Sequence, residues 1–305
     1  MSYPSEFSDL FLQMSLMNVS GISHGAVVDG RYLAGDMLFQ ITSHPHFTWT
    51  VFNNWTFRHF SRPIATRQYT WSPGPYIVFR DSSFEDSSDD LFKMKGGTII
   101  FENCVFRNIG GRVIKGISEA TAEFVDCMFE NCSSVFLHGC EAMFTNCIFK
   151  DMKGQRGGAI HSIKSTLHVE NCKFIRCSAD INGGAIYIRD SEEHFESEII
   201  GSCFIGNVAG VNGSSVYAYL SHLTLKDNCY DSNNSIIEHM SELVEETNNE
   251  IDSKCTKCLS KPNKNVIHDD FSPCDTFKWW QLDDLKPGSI IVIDDEDELD
   301  VKDTF

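Results

Sequence analysis

The chain has 305 residues, with 43 acidic against 25 basic side chains and a formal net charge of −18. A hydrophobic fraction of 42%, with 12% aromatic, is enough to bury a substantial core and excludes global disorder. The acidic balance repels phosphate backbones and excludes a general nucleic-acid binder, and no apolar run reaches the length of a membrane span.

Residues 1–50 precede any clear pattern. Met1 to Phe11 hold no basic residue, so no signal peptide is legible and a cytoplasmic location is expected. Met37-Leu38-Phe39-Gln40-Ile41 reads as a degenerate first rung within an N-terminal cap.

From residue 51 to 234 one phrase recurs. It reads Phe101-Glu102-Asn103-Cys104-Val105-Phe106, then Phe124-Val125-Asp126-Cys127-Met128-Phe129. It returns as Phe144-Thr145-Asn146-Cys147-Ile148-Phe149 and as Val169-Glu170-Asn171-Cys172-Lys173-Phe174. Looser copies place Trp55, Ser82, Cys203 and Cys229 in the cysteine slot, at intervals of 20 to 31 residues. Between copies lie glycine turns leading into short apolar strands, as in Gly157-Gly158-Ala159-Ile160 and Gly183-Gly184-Ala185-Ile186.

A unit this short cannot bury its apolar face alone, but it can stack on its neighbours. Short alternating strands joined by Gly and Asn turns predict an all-β, right-handed parallel β-helix of about eight to nine rungs. Its rungs sit one strand spacing apart, roughly 4.8 Å. Stacked side chains then form interior columns: Cys104, Cys127, Cys147 and Cys172 in one, Phe106, Phe129, Phe149 and Phe174 in another. Buried free cysteine packs as a small hydrophobe, and parallel neighbours point alike, not at one another. In the last two copies the aromatic follows Cys203 and Cys229 by one residue instead of two. Either the cysteine leaves the interior there or the strand is bulged.

Residues 235–305 read as a separate extension. Ile236, Ile237, Met240, Leu243, Val244 and Ile251 follow helical spacing, so an amphipathic helix is expected over 235–252. A cysteine-bearing loop follows, then Ser289–Ile293 as a strand and the acidic run Asp294–Glu298, expected to be solvated.

The glycine phrase, paired with Phe-x-x-Asn at Phe204 to Asn207, resembles the polymorphic outer-membrane-protein repeat of the right-handed β-helix group with the pectin-lyase-like fold. The resemblance covers about residues 50 to 235. It implies an adhesive or scaffold role at a cell surface, the alternative to the cytoplasm. No anchor or terminal barrel is legible beside it.

Four constellations could carry chemistry. Cys255-Thr256-Lys257-Cys258, with His268 and Cys274, offers the Cys3His donor set of a zinc site, against a disulfide from Cys255 or Cys258 to Cys274 or unrelated thiols. Asn54, Asn103, Asn146, Asn171 and Asn228, with Asp81 and Asp126, form one polar column, and Asn108, Asn131, Asn207 and Asn233, with Asp86 and Asp151, a second. Both are expected at left-handed turns, with calcium or sugar binding the less economical reading. Enzymatic β-helices cluster carboxylates with a basic partner on adjacent rungs. Here Asp81 and Asp126 are separated by the Asn103 rung, Asp151 lies near Arg176, and His161, Lys164 and His168 alternate sides, so no catalytic residue is assigned. Five N-x-[ST] sequons stand at Asn18, Asn54, Asn131, Asn212 and Asn233. The expected function is a non-catalytic scaffold or adhesin-like protein presenting a rigid acidic surface to a protein or glycan. The alternatives are a polysaccharide lyase or glycoside hydrolase, and a zinc-stabilised intracellular assembly component.

Overall fold

A computed structural model describes residues 26–29, 40–42, 49–61, 63–67, 76–190, 195–232, 236–239, 242–252, 255, 290–293 and 299–302. Residues 1–263 and 264–305 form two units. Among the described residues no helix is long and apolar enough to cross a membrane.

The first unit is a right-handed parallel β-helix of about seven turns. One turn shows how sequence makes a rung. Asn146 bends the chain in the left-handed region (φ 56°), Cys147 points inward, and Ile148–Lys150 forms a three-residue front strand. Asp151 (φ 54°) makes the next corner, Met152 is buried, and Lys153–Gly154 is a two-residue strand. A glycine turn then opens the side strand Ile160–Ile163, Lys164 (φ 48°) bends it, and the back strand Thr166–Glu170 closes the rung. Asn and Asp dominate the corners because their short polar side chains tolerate a conformation that costs other L-residues roughly 1–2 kcal/mol.

Gly157 (φ +60°) is required at its turn: a Cβ there would lie 1.9 Å from the carbonyl oxygen of Ile160. Gly183 and Gly213 repeat that geometry against Ile186 and Val216. The recurring glycine phrase is thus a steric demand repeated on three successive turns.

Stacking the rungs gives a ten-stranded front ladder and one sixteen-stranded sheet carrying both the side and back ladders. These two merge because Phe92–Glu102 and Ile114–Val125 run through the corner as single strands. Registers are parallel and in frame: Phe106, Phe129 and Phe149 pair directly, as do Phe101, Phe124 and Phe144.

The core consists of two phenylalanine stacks. Along the front ladder the rings of Phe106, Phe129, Phe149, Phe174 and Phe204 lie 4.5 to 4.8 Å apart and within 6° of parallel. Along the back ladder Phe79, Phe101, Phe124 and Phe144 stack at 4.7 to 5.3 Å. The two columns meet edge to face, as Phe124 and Phe129 do at 5.4 Å and 63°. Each ring removes on the order of 2–3 kcal/mol of apolar surface from water, with roughly 0.5–1.5 kcal/mol more from ring geometry.

The helix expected over 235–252 is absent. Ile236–His239, Glu242–Thr247 and Glu250–Ile251 instead continue the side, back and front ladders, pairing with Val216–Tyr219, His222–Lys226 and Cys229–Tyr230. Asn248 (φ 55°) and Asn249 repeat the corner made one turn earlier by Asp227 (φ 56°) and Asn228. Helical spacing arises because apolar residues of three successive strands fall into one periodic run.

Within residues 1–50, Ala26–Asp29 extends the front ladder onto Trp55–Arg58, and Gln40–Thr42 pairs with Ile64–Arg67. In the second unit Ile290–Ile293 and Leu299–Lys302 form an antiparallel pair. The acidic run between them lies outside the described residues.

Candidate functional site

Each ladder presents a different outward chemistry. On the front ladder cations meet carboxylates rung to rung: Arg107 Nε lies 3.3 Å from Glu130 Oε2, and Lys150 pairs with the same carboxylate. Those two cations, Lys150 foremost, hold the Glu130 carboxyl below its ordinary range. At the adjoining corner Arg176 grips Asp151 through two bonds of 2.8 Å, which lowers the Asp151 pKa. The outward positions of the back ladder are acidic in places, with Glu141, Glu170, Glu196 and Glu198 among them.

The side ladder differs. One register column runs Lys93, Lys115, Phe136, His161, Tyr187 and Tyr217. The next runs Lys95, Ile117, His138, Ile163, Arg189 and Tyr219. Neither contains a carboxylate, in a chain with 43 of them. The arginines here lie over rings: Arg112 over Phe136 at 4.2 Å, Arg156 over Tyr187 at 5.8 Å and Arg189 over Tyr219 at 5.7 Å. By contrast Arg58, Arg80, Arg107 and Arg176, elsewhere on the helix, each pair with an acid.

His161 reports on this environment. Its ring is edge-on to Phe136 at 5.1 Å and to Tyr187 at 5.0 Å. Burial first, and then the Arg112 and Arg156 charges, push its pKa down to about 4, as a desolvated site with positive neighbours requires.

The predicted interior columns are in place. Cys104, Cys127, Cys147 and Cys172 are all buried and free, beneath stacked Phe106, Phe129, Phe149 and Phe174. Their role exceeds that of a small hydrophobe. The thiols of Cys127, Cys147 and Cys172 approach the carbonyls of Phe101, Phe124 and Phe144 one turn back at 3.3 to 3.4 Å. Burial pushes the thiols of Cys127 and Cys172 up. Sequence reasoning passed over a second corner column containing Cys132 and Cys177, whose thiols burial raises to about 12. Alignment on the corner Asn131 and Arg176 would have found it.

The shifted copies resolve in favour of the cysteine leaving the interior. Cys203 pairs with Lys173, and Cys229 with Cys203, so both lie in the outward register column. Ser202 and Asn228 occupy the inward slot. The corner column therefore holds Asp227, and Asn228 does not serve as a left-handed turn. Asn207 is displaced likewise: it is buried, accepts from the N–H of Cys177 at 2.9 Å and donates to Phe174 at 3.1 Å. The other described members of both columns, from Asn54 to Asn171 and from Asp86 to Asp151, do adopt positive φ. Corner side chains bond between rungs, Asn103 to Asp81 at 2.6 Å, Asn108 to Asp86 at 2.9 Å and Asn131 to Asn108 at 2.9 Å.

Of the zinc candidates, Cys255 is disulfide-bonded to Cys229 and clusters with Cys203 outside the aromatic core. Cys203 is itself in a disulfide. Cys258, His268 and Cys274 lie outside the described residues, as do the sequons at Asn18 and Asn233. Asn54, Asn131 and Asn212 are exposed. His168 faces outward on the back ladder, 3.3 Å from Glu198, whereas His161 belongs to the side ladder, so the two histidines serve different faces.

No family model, curated protein or solved structure matches the chain.

Proposed function

We propose that the chain is a non-catalytic β-helix scaffold that binds a macromolecular partner along its rigid ladders, in the manner of a surface adhesin. The observation that carries this reading is the sorting of charge by face: ion-paired on the front, acid-bearing on the back, cationic and aromatic on the side. A stack of strands fixed by backbone pairing holds such side chains at set intervals with little ordering cost on binding.

The polar groups that a β-helix enzyme would employ are engaged in holding rungs together. Asp81 bonds Asn103, Asp86 bonds Asn108, and Asp151 is clasped by Arg176. The Cys229–Cys255 disulfide favours an oxidising compartment over the cytoplasm, which suits the surface role that the repeat resemblance implies.

The test is incubation of the purified chain with neutral and acidic polysaccharides, read by reducing ends and by ultraviolet absorbance of unsaturated products. No turnover is expected. Turnover that disappears when a single outward carboxylate is replaced would establish the polysaccharide lyase or glycoside hydrolase alternative.

A further inference from the structure

We propose that the side ladder is a docking face for an acidic peptide segment of a partner protein, read by the guanidinium groups of Arg112, Arg156 and Arg189. The proposal rests on the scaffold reading and names the site and partner chemistry within it.

The first argument is charge. A protein of net charge −18 has every opportunity to neutralise its arginines internally, and elsewhere on the helix it does so. On this face the three guanidinium groups rest on rings. A ring holds the planar group in place while leaving its N–H edges available to fork a carboxylate. Lys95 and Lys115 add positive charge in the same columns. Asp90, beside this face, accepts from the backbone N–H of Arg112 and lies 3.9 Å from Lys93.

The second argument selects the occupant. Sugars are recognised by stacking on open aromatic faces, and here those faces are taken. Tyr187 and Tyr217 stack on each other at 5.7 Å and are only 6% and 9% exposed, while Phe136 and Tyr219 carry arginines. What the face offers a ligand is guanidinium edges, not rings. Nucleic acid carries one charge per about 1.7 Å of duplex axis and would meet the acids of the adjoining back ladder.

The third argument is spacing. Rungs repeat at roughly 4.8 Å and an α-helix at 5.4 Å per turn. The rings beneath Arg112, Arg156 and Arg189 lie on side strands two rungs and then one rung apart. Carboxylates two turns and then one turn apart on a peptide helix therefore drift by only about 1.2 and 0.6 Å against them, within the reach of an arginine side chain.

The experiment uses the full chain and a fluorescein-labelled poly-glutamate peptide of about twenty residues, followed by anisotropy at low salt. Binding is expected, weakened about tenfold or more in R112Q/R156Q/R189Q and much less in R107Q/R176Q, which removes comparable charge from the front ladder and its corner. Arg156→Gln and Arg189→Gln alone, at a half-buried and an exposed position, each give a partial loss should the triple variant unfold. The His161 imidazole resonance supplies a readout that a purely structural role would not move: peptide binding raises its titration midpoint from about 4. No binding, or equal loss in the front-ladder variant, overturns the proposal. So does stronger competition by polygalacturonate or single-stranded DNA than by unlabelled peptide, which would assign the face to a glycan or a nucleic acid. Failure here with no polysaccharide turnover leaves the scaffold reading standing on another face.

Discussion

The backbone N–H of Cys147 donates to Sγ of Cys172, 3.3 Å away and one turn further along the helix. The thiol of Cys172 in turn donates to the carbonyl of Phe144, one turn back, at 3.3 Å. Ser202 Oγ accepts from the next slot N–H at 3.1 Å, and Asn228 Oδ1 from the one after at 2.9 Å. The slot lies at a corner, where the strand ladder no longer pairs every backbone group. A short side chain that both accepts and donates fills the gap, so cysteine, serine and asparagine share one column.

That account separates two conservative replacements. Cys172→Ser keeps both bonds and should change the urea midpoint by less than about 1 kcal/mol equivalent. Cys172→Val keeps the volume but orphans the Cys147 N–H, and should cost about 1–2 kcal/mol. Equal stability of the two variants would mean that the thiol acts only by packing.

The corner column makes a second prediction. Asn146 has φ 56°, and Gly201 holds the equivalent corner two turns later with φ 61°. Asn146→Gly should therefore be nearly neutral, whereas Asn146→Ala should lose about 1 kcal/mol to strain. Calorimetric midpoints of the two variants decide the point, since an equal loss in both would show that the asparagine amide matters more than the backbone.

Phenylalanine on phenylalanine and asparagine at left-handed corners were legible because both repeat in a fixed frame. The frame itself slips before Cys203, and in a strand of period two a one-residue slip exchanges inside for outside. Aromatic spacing detected that slip but left its direction open; Ser202 and Asn228 in the inward slot decide it. Asn248-Asn249 carried the same corner signal, masked by apolar residues whose spacing imitates a helix. The side face could have been read by aligning Ile160, Ile186 and Val216 behind their glycine turns, which superposes His161, Tyr187 and Tyr217. The meeting of Cys229 with Cys255 could not, because an outward position in a rung says nothing about which distant segment will cover it.

Asp190 gives a pH prediction. It is buried in the corner between side and back ladders, where burial raises its pKa to about 6 while N–H donors led by Ser165 pull the other way. The folded value exceeds the ordinary 3.8, so the folded state retains the proton more tightly. The stability this contributes is fully present below about pH 3.8 and lost as pH rises through about 6. At pH 7 the ionised carboxylate costs at most about 3 kcal/mol relative to a neutral group. Asp190→Asn keeps an oxygen for the Ser165 N–H, now 3.3 Å from Oδ1. The variant should melt higher than the parent at pH 7 and equally near pH 4. A variant that is less stable at pH 7 would mean that the carboxylate is paired in the fold.

The disulfide ties the next-to-last front rung to the chain just beyond the last one, closing a loop with a sequence separation of 26. Loop-closure entropy for that length is worth roughly 3 kcal/mol. Cys229→Ser/Cys255→Ser should lower the stability of the oxidised protein by about that amount, with the loss concentrated in hydrogen exchange of the rungs from Val216 onward. The same bond sets a condition on the zinc set Cys255, Cys258, His268 and Cys274, because a metal requires the Cys255 thiolate and an oxidised sulfur supplies none. Metal analysis of protein purified without reductant should therefore find no stoichiometric zinc. After reduction, any zinc taken up should be lost in Cys258→Ser. One equivalent of zinc in the unreduced protein, with Cys229 and Cys255 both open to alkylation, would replace the disulfide with a metal centre at this end of the helix.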